Sequence, residues 1–443
     1  MVGIFYGLYV FVKKNTVCIS AFILAFLFYT GIITVYNPKP YISLVSKENI
    51  ISLDGRICSN PVRVSNGKYY RCSLELSFVY GSIHNKYDSN ALKIYSQAKG
   101  LIYLFIPSKI IEAHYPGRLF SISNPQNSSN PVLIENNVII KAKGSLLKNN
   151  SQDSKEIPCF FVNTLESEGF DNSFWGKLSY FRALSRLQFK RLMYNWGDSG
   201  GLLLALISGS GEYTDSKISS GFRDAGLSHI LALSGMHLSF FSMFALVFTR
   251  FAGKKFSEIF SLFIILLFSW FAGLTPSLFR ALLCALLVFI TSYLGCKTNM
   301  VKILCSSFLI HVCIRPMDLF QLSFQLSYSA LLGILLVSNF FDSIFYRIFH
   351  PGISSSLCAS LGAQVTTLPI CLSAFGKFMP IGIIASVIVS PLVLFFLGLG
   401  VICIVLTIFM PCFSEVLGLV LNLMYNCIVW LVLFFAGFPA MEI

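Results

Sequence analysis

The chain has 443 residues, of which 55% are hydrophobic and only 12% are charged, and its mean hydropathy is +0.72. Soluble domains carry about 25% charged residues, so this composition excludes an ordinary soluble protein and predicts a polytopic membrane protein. The net charge of +13 could reflect an anionic partner. Lys and Arg in cytoplasmic loops give the same excess, and charge alone favours that second interpretation.

Residues 1–40 predict a membrane anchor. Lys13 and Lys14 precede the apolar run 17–36, and no small-residue cleavage site of the A-x-A kind follows it. We therefore expect a signal anchor that keeps the N-terminus in the cytoplasm and sends the next segment outside.

Residues 46–165 alternate short apolar runs with turn signals such as Asn66-Gly67. They predict about five strands of a small extracytoplasmic β-barrel, at 51–59, 67–80, 100–107, 118–123 and 136–147. Periodicity alone does not distinguish an OB-fold from another small barrel. Cys58 and Cys72 flank a predicted hairpin in this region, where a disulfide between them would persist, and Cys159 is the other candidate partner. The thirteen cysteines show no CxxC pair and no zinc-like spacing with His, so we expect no metal and no cofactor.

Residues 173–195 predict a basic amphipathic helix on the membrane surface. Its apolar residues fall near one face and its basic residues largely on another: Phe174, Leu178, Phe181, Leu184 and Phe189 against Lys177, Arg182, Arg186, Lys190 and Arg191. Lipid phosphates are the simpler partner for these charges, although DNA could use them too. The helix opens an interfacial region that spans residues 173–230.

Residues 231–443 predict eight membrane helices, at 231–251, 256–274, 276–294, 300–314, 319–338, 355–375, 380–408 and 413–438. With the anchor they give about nine spans, which places the C-terminus on the same side as the β-domain. Basic loop residues agree with this topology, because the loops expected inside carry Arg250, Lys254, Lys255, Lys297, Lys302 and Arg347.

Several polar residues enter these apolar segments, and such residues usually mark a pathway or a buried network. The stretch 221–239, GFRDAGLSHILALSGMHLS, contains Arg223, Asp224, His229, Ser234 and His237. If the helix is continuous, His229 and His237 lie near one face. A lone His or Ser near a helix start is, however, more often a cap or a packed polar residue.

Five more polar residues lie further along. Arg280 either snorkels to the interface or offers its guanidinium fork to a phosphate. Gln321 and Gln325 are four residues apart, and Ser323 and Ser327 repeat the spacing, so two polar lines run down one predicted helix. Interhelical hydrogen bonds and a water-filled path explain these lines equally well.

Four segments in order resemble the ComEC competence-protein family: AGLSHILALSGMHLS (225–239), GLTPSLFRALL (273–283), DLFQLSFQLSYSALLG (318–333) and GAQVTTLPICLSAFGKF (362–378). The resemblance implies an OB-fold in the β-domain and a channel that passes single-stranded DNA inward across the inner membrane during natural transformation. It implies a DNA path lined by Arg223, Asp224, His229, Ser234, His237, Arg280, Gln321, Gln325 and Gln364. Aromatic residues available for base stacking on the β-domain are Tyr69, Tyr70, Phe78, Tyr103 and Phe105, several of which must instead fill the core.

The chain departs from the family pattern in three places. Ser208-Gly209-Ser210-Gly211 replaces an expected Gly-Asp, and Ser386 replaces an expected Asn. No HxHxDH-like motif occurs, so the resemblance is to a form without a metallo-β-lactamase-like domain, and we expect no enzyme. The expected partners are single-stranded DNA, membrane lipid, and separate DNA receptor, nuclease and cytoplasmic motor proteins, with homo-oligomerisation open.

Two other functions remain possible from the sequence. A small-molecule transporter would have the same apolar helices. An intramembrane serine protease would use Ser234 as nucleophile and His311 as base, but Ala232-Leu233 stands where the rhomboid pattern has Gly-x.

Overall fold

The computed structural model describes residues 50–64, 67–83, 92–112, 134–146, 158–210, 214, 216–295, 299–345, 350–439 and 441–442. The predicted anchor at 17–36 and the predicted strand at 118–123 lie outside these ranges. The chain divides into two compact units, a β-rich unit within residues 37–204 and 210–214 and a helical unit within residues 205–209 and 215–443.

The β-rich unit is a closed barrel, as the sequence predicted. Its strands are β1 (Ile50–Ile57), β2 (Val62–Arg63), β3 (Tyr69–Ile83), β4 (Leu92–Gln97), β5 (Leu101–Pro107), β6 (Ile139–Leu146) and β7 (Cys159–Gly169), with a short helix α1 (Ser108–Glu112) after β5. The order β1-β6-β7-β5-β3 closes because β1 also pairs with β3. The β5–β7 pair is parallel, and the other pairs are antiparallel. Strands β4 and β7 were not predicted, and β7 carries the barrel beyond the predicted limit at residue 165.

Strict alternation builds the core of the barrel. On β5, Ile102, Leu104 and Ile106 are fully buried, whereas Tyr103 and Phe105 between them lie half-exposed on the outer face. The predicted hairpin is present, because β2 pairs with β3 across a turn in which Gly67 has a φ of 69°. That left-handed conformation favours glycine.

The two cysteines of the predicted disulfide differ in environment. Cys72 is a free cysteine in the barrel core, where burial raises the pKa of its thiol to about 12. Cys58 is exposed, and its Sγ lies 3.6 Å from the carbonyl oxygen of Arg56. The disulfide between them stays a prediction.

The basic amphipathic helix exists as α2 (Phe174–Asn195), but much of its basic face is not at the surface. Arg186, Lys190 and Arg191 are buried, while Phe174 and Trp175 are 74% and 72% exposed. The sequence prediction that these three basic residues face lipid phosphates is therefore wrong. Its error was to treat charge as a sign of exposure, although buried charges occur where a partner compensates them.

The compensating partner of Arg186 and Lys190 is Glu135, which precedes β6. Its Oε1 accepts hydrogen bonds from Nε of Arg186 at 3.1 Å and from Nζ of Lys190 at 3.4 Å. Glu135 is itself only 6% exposed. Burial alone would raise the pKa of this carboxyl, but the positive charges of Arg186, Lys190 and Arg182 outweigh it and lower the pKa. This ion cluster joins α2 to the barrel.

In the helical unit, a helix is present at each of the eight positions where the sequence predicted one. After α3 (Gly197–Ser208), whose last residues belong to it, come α4 (Ser216–Asp224), α5 (Ser228–Leu231), α6 (Gly235–Thr249), α7 (Lys254–Ala272), α8 (Pro276–Tyr293), α9 (Met300–Ile314), α10 (Leu322–Leu336), α11 (Ser338–Phe345), α12 (Pro351–Phe375), α13 (Gly382–Phe409) and α14 (Ser414–Ala436). Strands β8 (Lys377–Phe378) and β9 (Met441–Glu442) pair with each other.

Six segments among the described residues are long and apolar enough to cross a membrane, namely 235–252, 254–272, 276–293, 351–375, 382–409 and 411–436. Helices α9 and α10 are apolar too, but each has only 15 residues. The predicted polytopic membrane class agrees with these six helices.

The central stretch is not one helix, which corrects the prediction that His229 and His237 share a helical face. Ala232 and Ser234 have extended backbones that separate α5 from α6. Just before α5, Gly226 has a φ of 72°, and a Cβ there would lie 3.1 Å from the Cα of Gly382. Close approach of the two backbones therefore requires glycine at residue 226.

We predict that Glu135→Gln loosens α2, because a buried ion cluster that loses one partner leaves an uncompensated charge and costs about 3–5 kcal/mol. Hydrogen exchange of α2 amides in the detergent-solubilised chain measures this. Glu166→Gln is the matched control, since its 3.4 Å pair with Lys143 is exposed and is worth about 0–1 kcal/mol. Equal protection of α2 in both variants would contradict the role of the ion cluster in holding α2 to the barrel.

The same cluster should make the protection of α2 depend on pH. A carboxyl whose pKa is lower in the folded state stabilises that state fully above its unfolded pKa of about 4.3, and the contribution is lost as pH falls through the lowered value. Wild-type α2 should therefore lose protection on acidification, and Glu135→Gln should lose less over the same range. Parallel pH profiles of the two proteins would be inconsistent with this.

Candidate functional site

Ser234 and His237 cap the first turn of α6. The backbone N–H of Ser234 donates to Nδ1 of His237 at 3.3 Å, and Ser234 Oγ lies 3.3 Å from the same nitrogen. This is a capping box in which His takes the place of the usual Glu or Gln. It explains locally why a Ser and a His stand three residues apart.

The other ring nitrogen of His237 has no such partner. The side chain is 0% exposed, and its Nε2 has no hydrogen-bond partner among the described residues. Because Ser234 donates to Nδ1, we infer that the neutral ring carries its proton on Nε2. The start of α6 thus contains a buried donor for which the described part of the chain supplies no acceptor.

Arg280 of α8 lies beside the same helix start. A Cβ added at Gly235 would lie 3.1 Å from its Nη2, so the guanidinium packs against the first residue of α6. Its Nη1 donates to the carbonyl of Ser327 at 2.7 Å, while its Nε is buried without a described partner. The ion pairs described in the helical unit involve other residues. A guanidinium without a carboxylate, next to the positive end of a helix dipole, favours an anion.

A second polar group joins α8, α9 and α10. His311 is 0% exposed; its Nε2 lies 3.1 Å from Oδ2 of Asp318 and its Nδ1 lies 3.3 Å from the hydroxyl of Tyr328. The rings of Phe279 and Phe324 meet His311 edge-on at 4.7 and 4.8 Å. Asp318 lies in the 3-10 turn Pro316–Phe320 that connects α9 to α10.

The two Gln residues support that turn and do not form a line along one helix. Gln321 precedes α10, and its amide donates to Oδ1 of Asp318 at 3.0 Å. Gln325 donates to the carbonyl of Leu319 at 3.1 Å. The predicted pair of polar lines is therefore wrong for Gln321, because the helix begins one residue later.

The remaining candidates lie elsewhere. Arg223 and Asp224 are on the surface of α4 and pair with each other at 3.6 Å, and His229 on α5 is exposed. Gln364 lies on α12, where its Oε1 is buried without a described hydrogen-bond partner. The structure thus brings Ser234, His237 and Arg280 together at the start of α6.

The barrel has an aromatic surface of its own, which we call the platform: Tyr69, Arg71, Tyr103, Phe105 and Phe161. The ring of Phe161 stacks on that of Phe105 at 5.1 Å and meets Tyr69 edge-on at 5.4 Å. The guanidinium of Arg71 lies 5.4 Å above the Tyr103 ring. Three neighbouring strands, β3, β5 and β7, supply these side chains on the outer face.

Sequence reasoning found only part of these groups. Of the five aromatic residues it named, Tyr70 fills the core, Phe78 is 42% exposed, and the other three belong to the platform. It missed Arg71 and Phe161, the latter because β7 was not predicted. Asp318 and Tyr328 stood inside a quoted motif, and only contacts between helices reveal their partner. No group of three His, Cys, Asp or Glu suited to a metal occurs within the described ranges.

Comparisons with known proteins point to one family. A family model described as Competence protein matches residues 206–443, which is just over half of the chain. ComE operon protein 3 of Bacillus subtilis (strain 168) is 28% identical over 200 residues, which cover 44% of this chain and 25% of that relative. The alignment thus spans about a quarter of the relative's length.

We predict that Ser234 is a cap and not a nucleophile. No described hydrogen bond joins Ser234 to His311, both of whose ring nitrogens contact Asp318 and Tyr328. Ser234→Ala should therefore cost about 1 kcal/mol at the start of α6, and the full chain should not react with a fluorophosphonate probe. Labelling that disappears in Ser234→Ala would restore the protease alternative.

Proposed function

The chain belongs to the competence protein family, and from that premise we propose that it passes single-stranded DNA inward across the cell inner membrane during natural transformation. The observation that carries the proposal is Arg280, a largely buried guanidinium with no carboxylate partner in the part of the chain described, at the start of α6. Phosphate is the anion that every nucleotide supplies, and the guanidinium fork matches it.

Release matters as much as binding along such a path. A polyanion needs a water-filled, protein-lined route whose polar groups hold it weakly enough to let it move on. Arg280 already donates to Ser327, so only part of its fork is available, and the His237 Nε2 donor is neutral. Arg280 and His237 thus offer few free hydrogen-bond donors. Such a site would hold each phosphate only briefly before the next one arrives.

We propose a topology of nine spans with the N-terminus in the cytoplasm and the barrel and C-terminus outside. The first span would be residues 17–36, and eight helices of the helical unit, α6 to α10 and α12 to α14, would supply the rest. Helices α9 and α10 are each about 22 Å long at 1.5 Å per residue, short of the roughly 30 Å hydrocarbon core. Two spans return the chain to the side from which it started. The C-terminus therefore lies on the same side of the membrane whether α9 and α10 both cross it or neither does.

The barrel would receive the strand outside the membrane. We propose that it is an OB-fold, since a five-strand circuit closed by β1–β3 and containing one parallel pair is the strand order of that fold. OB-folds bind single strands by stacking bases on aromatic side chains next to basic groups. The platform offers both.

Helix α2 would meet lipid through its aromatic face. Phe174, Trp175 and Phe181 are all at least 60% exposed, and aromatic residues with an apolar body are typical of the membrane interface. Partners would be a DNA receptor, a nuclease and a cytoplasmic motor, with homo-oligomers possible. A small-molecule transporter remains the second candidate, because its helices would need the same apolar surface.

We predict that the platform binds single strands in the detergent-solubilised full chain. Phe161→Ala should weaken the binding of a labelled oligothymidine about ten- to a hundredfold, because one stacked base is worth about 1–3 kcal/mol. Tyr95→Ala, on β4 and 73% exposed, is the aromatic control and should bind normally. Arg71→Ala should also make the slope of log K against log salt concentration less negative, by about 0.7 for each phosphate contact that is lost. Equal affinity in the Phe161 and Tyr95 variants would remove the platform from the proposal.

We predict that Arg280→Ala and His237→Ala abolish or sharply reduce DNA uptake at normal protein abundance. Arg280→Lys should restore uptake only in part, since it keeps the charge and loses the planar fork. Lys254→Ala is the control and should leave uptake unchanged, because that side chain is 89% exposed and already pairs with Glu258. Transformation frequency and membrane abundance are measured together. Full uptake in both Ala variants would exclude these residues from the path, and uptake that falls only in proportion to abundance would assign them to packing.

A further inference from the structure

His311 contacts residues next to both partners of the hydrogen bond that orients Arg280. Arg280 donates to the carbonyl of Ser327. Its neighbour in sequence, Phe279, lies edge-on to the His311 ring at 4.7 Å, and the neighbour of Ser327, Tyr328, bonds His311 through its hydroxyl at 3.3 Å. One imidazole therefore contacts the residue next to the donor and the residue next to the acceptor.

Both of these contacts are held firmly. Phe279 is also covered by Arg315, whose guanidinium lies 4.7 Å from the ring centroid and donates to the carbonyl of Leu274 at 3.0 Å. His311 is fixed by Asp318, which in turn accepts from Gln321. The aromatic rings of Phe324 and Tyr328 also pack against the imidazole, with centroids 4.8 and 5.9 Å away. Two hydrogen bonds and these ring contacts together hold the orientation of His311.

We propose that His311, held by Asp318, is a positioning residue that sets the placement of the Arg280 guanidinium through Phe279 and Tyr328. An Arg side chain has many rotamers, and a preorganised one loses less entropy when it meets an anion. The Ser327 carbonyl can orient Arg280 only while α10 keeps its rotation relative to α8, and the hydroxyl of Tyr328 fixes that rotation. This inference rests on the proposed role of Arg280 in DNA passage.

The structure offers a matched control on the same helix. Thr366 of α12 donates to the carbonyl of Ser329 on α10 at 2.8 Å, so Thr366→Val also removes a hydrogen bond to α10 but not one next to Ser327. A role confined to packing α10 would affect both sites alike. A positioning role predicts that loss of the Tyr328 hydrogen bond, and not loss of the Thr366 hydrogen bond, changes the contribution of Arg280 to uptake.

The test is a double-mutant cycle on DNA uptake, with membrane abundance measured for every variant. Tyr328→Phe, which removes one oxygen, should lower uptake about three- to tenfold, but should have little further effect in the Arg280→Lys background. Thr366→Val should have the same small effect in both backgrounds. Additive effects of Tyr328→Phe and Arg280→Lys, or a loss of abundance that accounts for the fall in uptake, would overturn the proposal.

Variants of His311 give a second decision that does not depend on the Lys background. His311→Gln keeps a donor for Asp318 and should retain more uptake than His311→Leu, which keeps none. Equal uptake in these two variants at equal abundance would also overturn the proposal. If Arg280→Ala itself leaves uptake unchanged, the proposed role of Arg280 fails instead, and this result is distinct from additivity in the cycle.

Discussion

The helical unit depends on how an arginine is accommodated among apolar helices. A charged side chain in such surroundings is costly unless protein groups or water meet its donors. Arg280 meets this cost through one backbone carbonyl, at Ser327, and through contact with Gly235 at the start of α6. Three chain segments therefore meet at this guanidinium, because α8 carries the donor, α10 the acceptor, and α6 begins with Gly235, against which the guanidinium packs.

Other features of the unit follow from that constraint. Helix α10 must hold its rotation, and the group formed by His311, Asp318 and Tyr328 supplies a polar contact from α9 to do so. Further along α10, a Cβ at Gly333 would lie 2.1 Å from the carbonyl oxygen of Gly362, so α10 and α12 meet backbone to backbone. The short helices α9 and α10 are thus fixed by specific polar and close contacts, whereas the six longer helices keep many apolar side chains exposed to their surroundings.

The local sequence pattern predicted helices and strands well, but it predicted the partners of polar side chains poorly. Alternation predicted the barrel, and apolar runs predicted eight of the described helices within 231–443, because both signals arise within one element. The short helix α11 was not predicted. The error at α2 has a different origin, since Arg186 and Lys190 find Glu135 some 51 and 55 residues away in the chain. At the candidate site, the spacing of Ser234 and His237 could be understood as a cap from the sequence. The contact of Arg280 with Ser327, 47 residues later, and that of His311 with Tyr328 could not, because they depend on how helices pack.

The most direct test of the central claim is to find the strand inside the helical unit. A photo-crosslinking residue at position 236 of α6, next to Gly235 where Arg280 packs, would be used in cells during uptake of a labelled strand with a blocked trailing end. The control is the same residue at position 395 of α13, where the native Phe is 67% exposed. The proposed path predicts a DNA crosslink at position 236 and none at position 395. Crosslinking at neither position while uptake proceeds, or equally at both, would contradict passage of DNA beside Arg280.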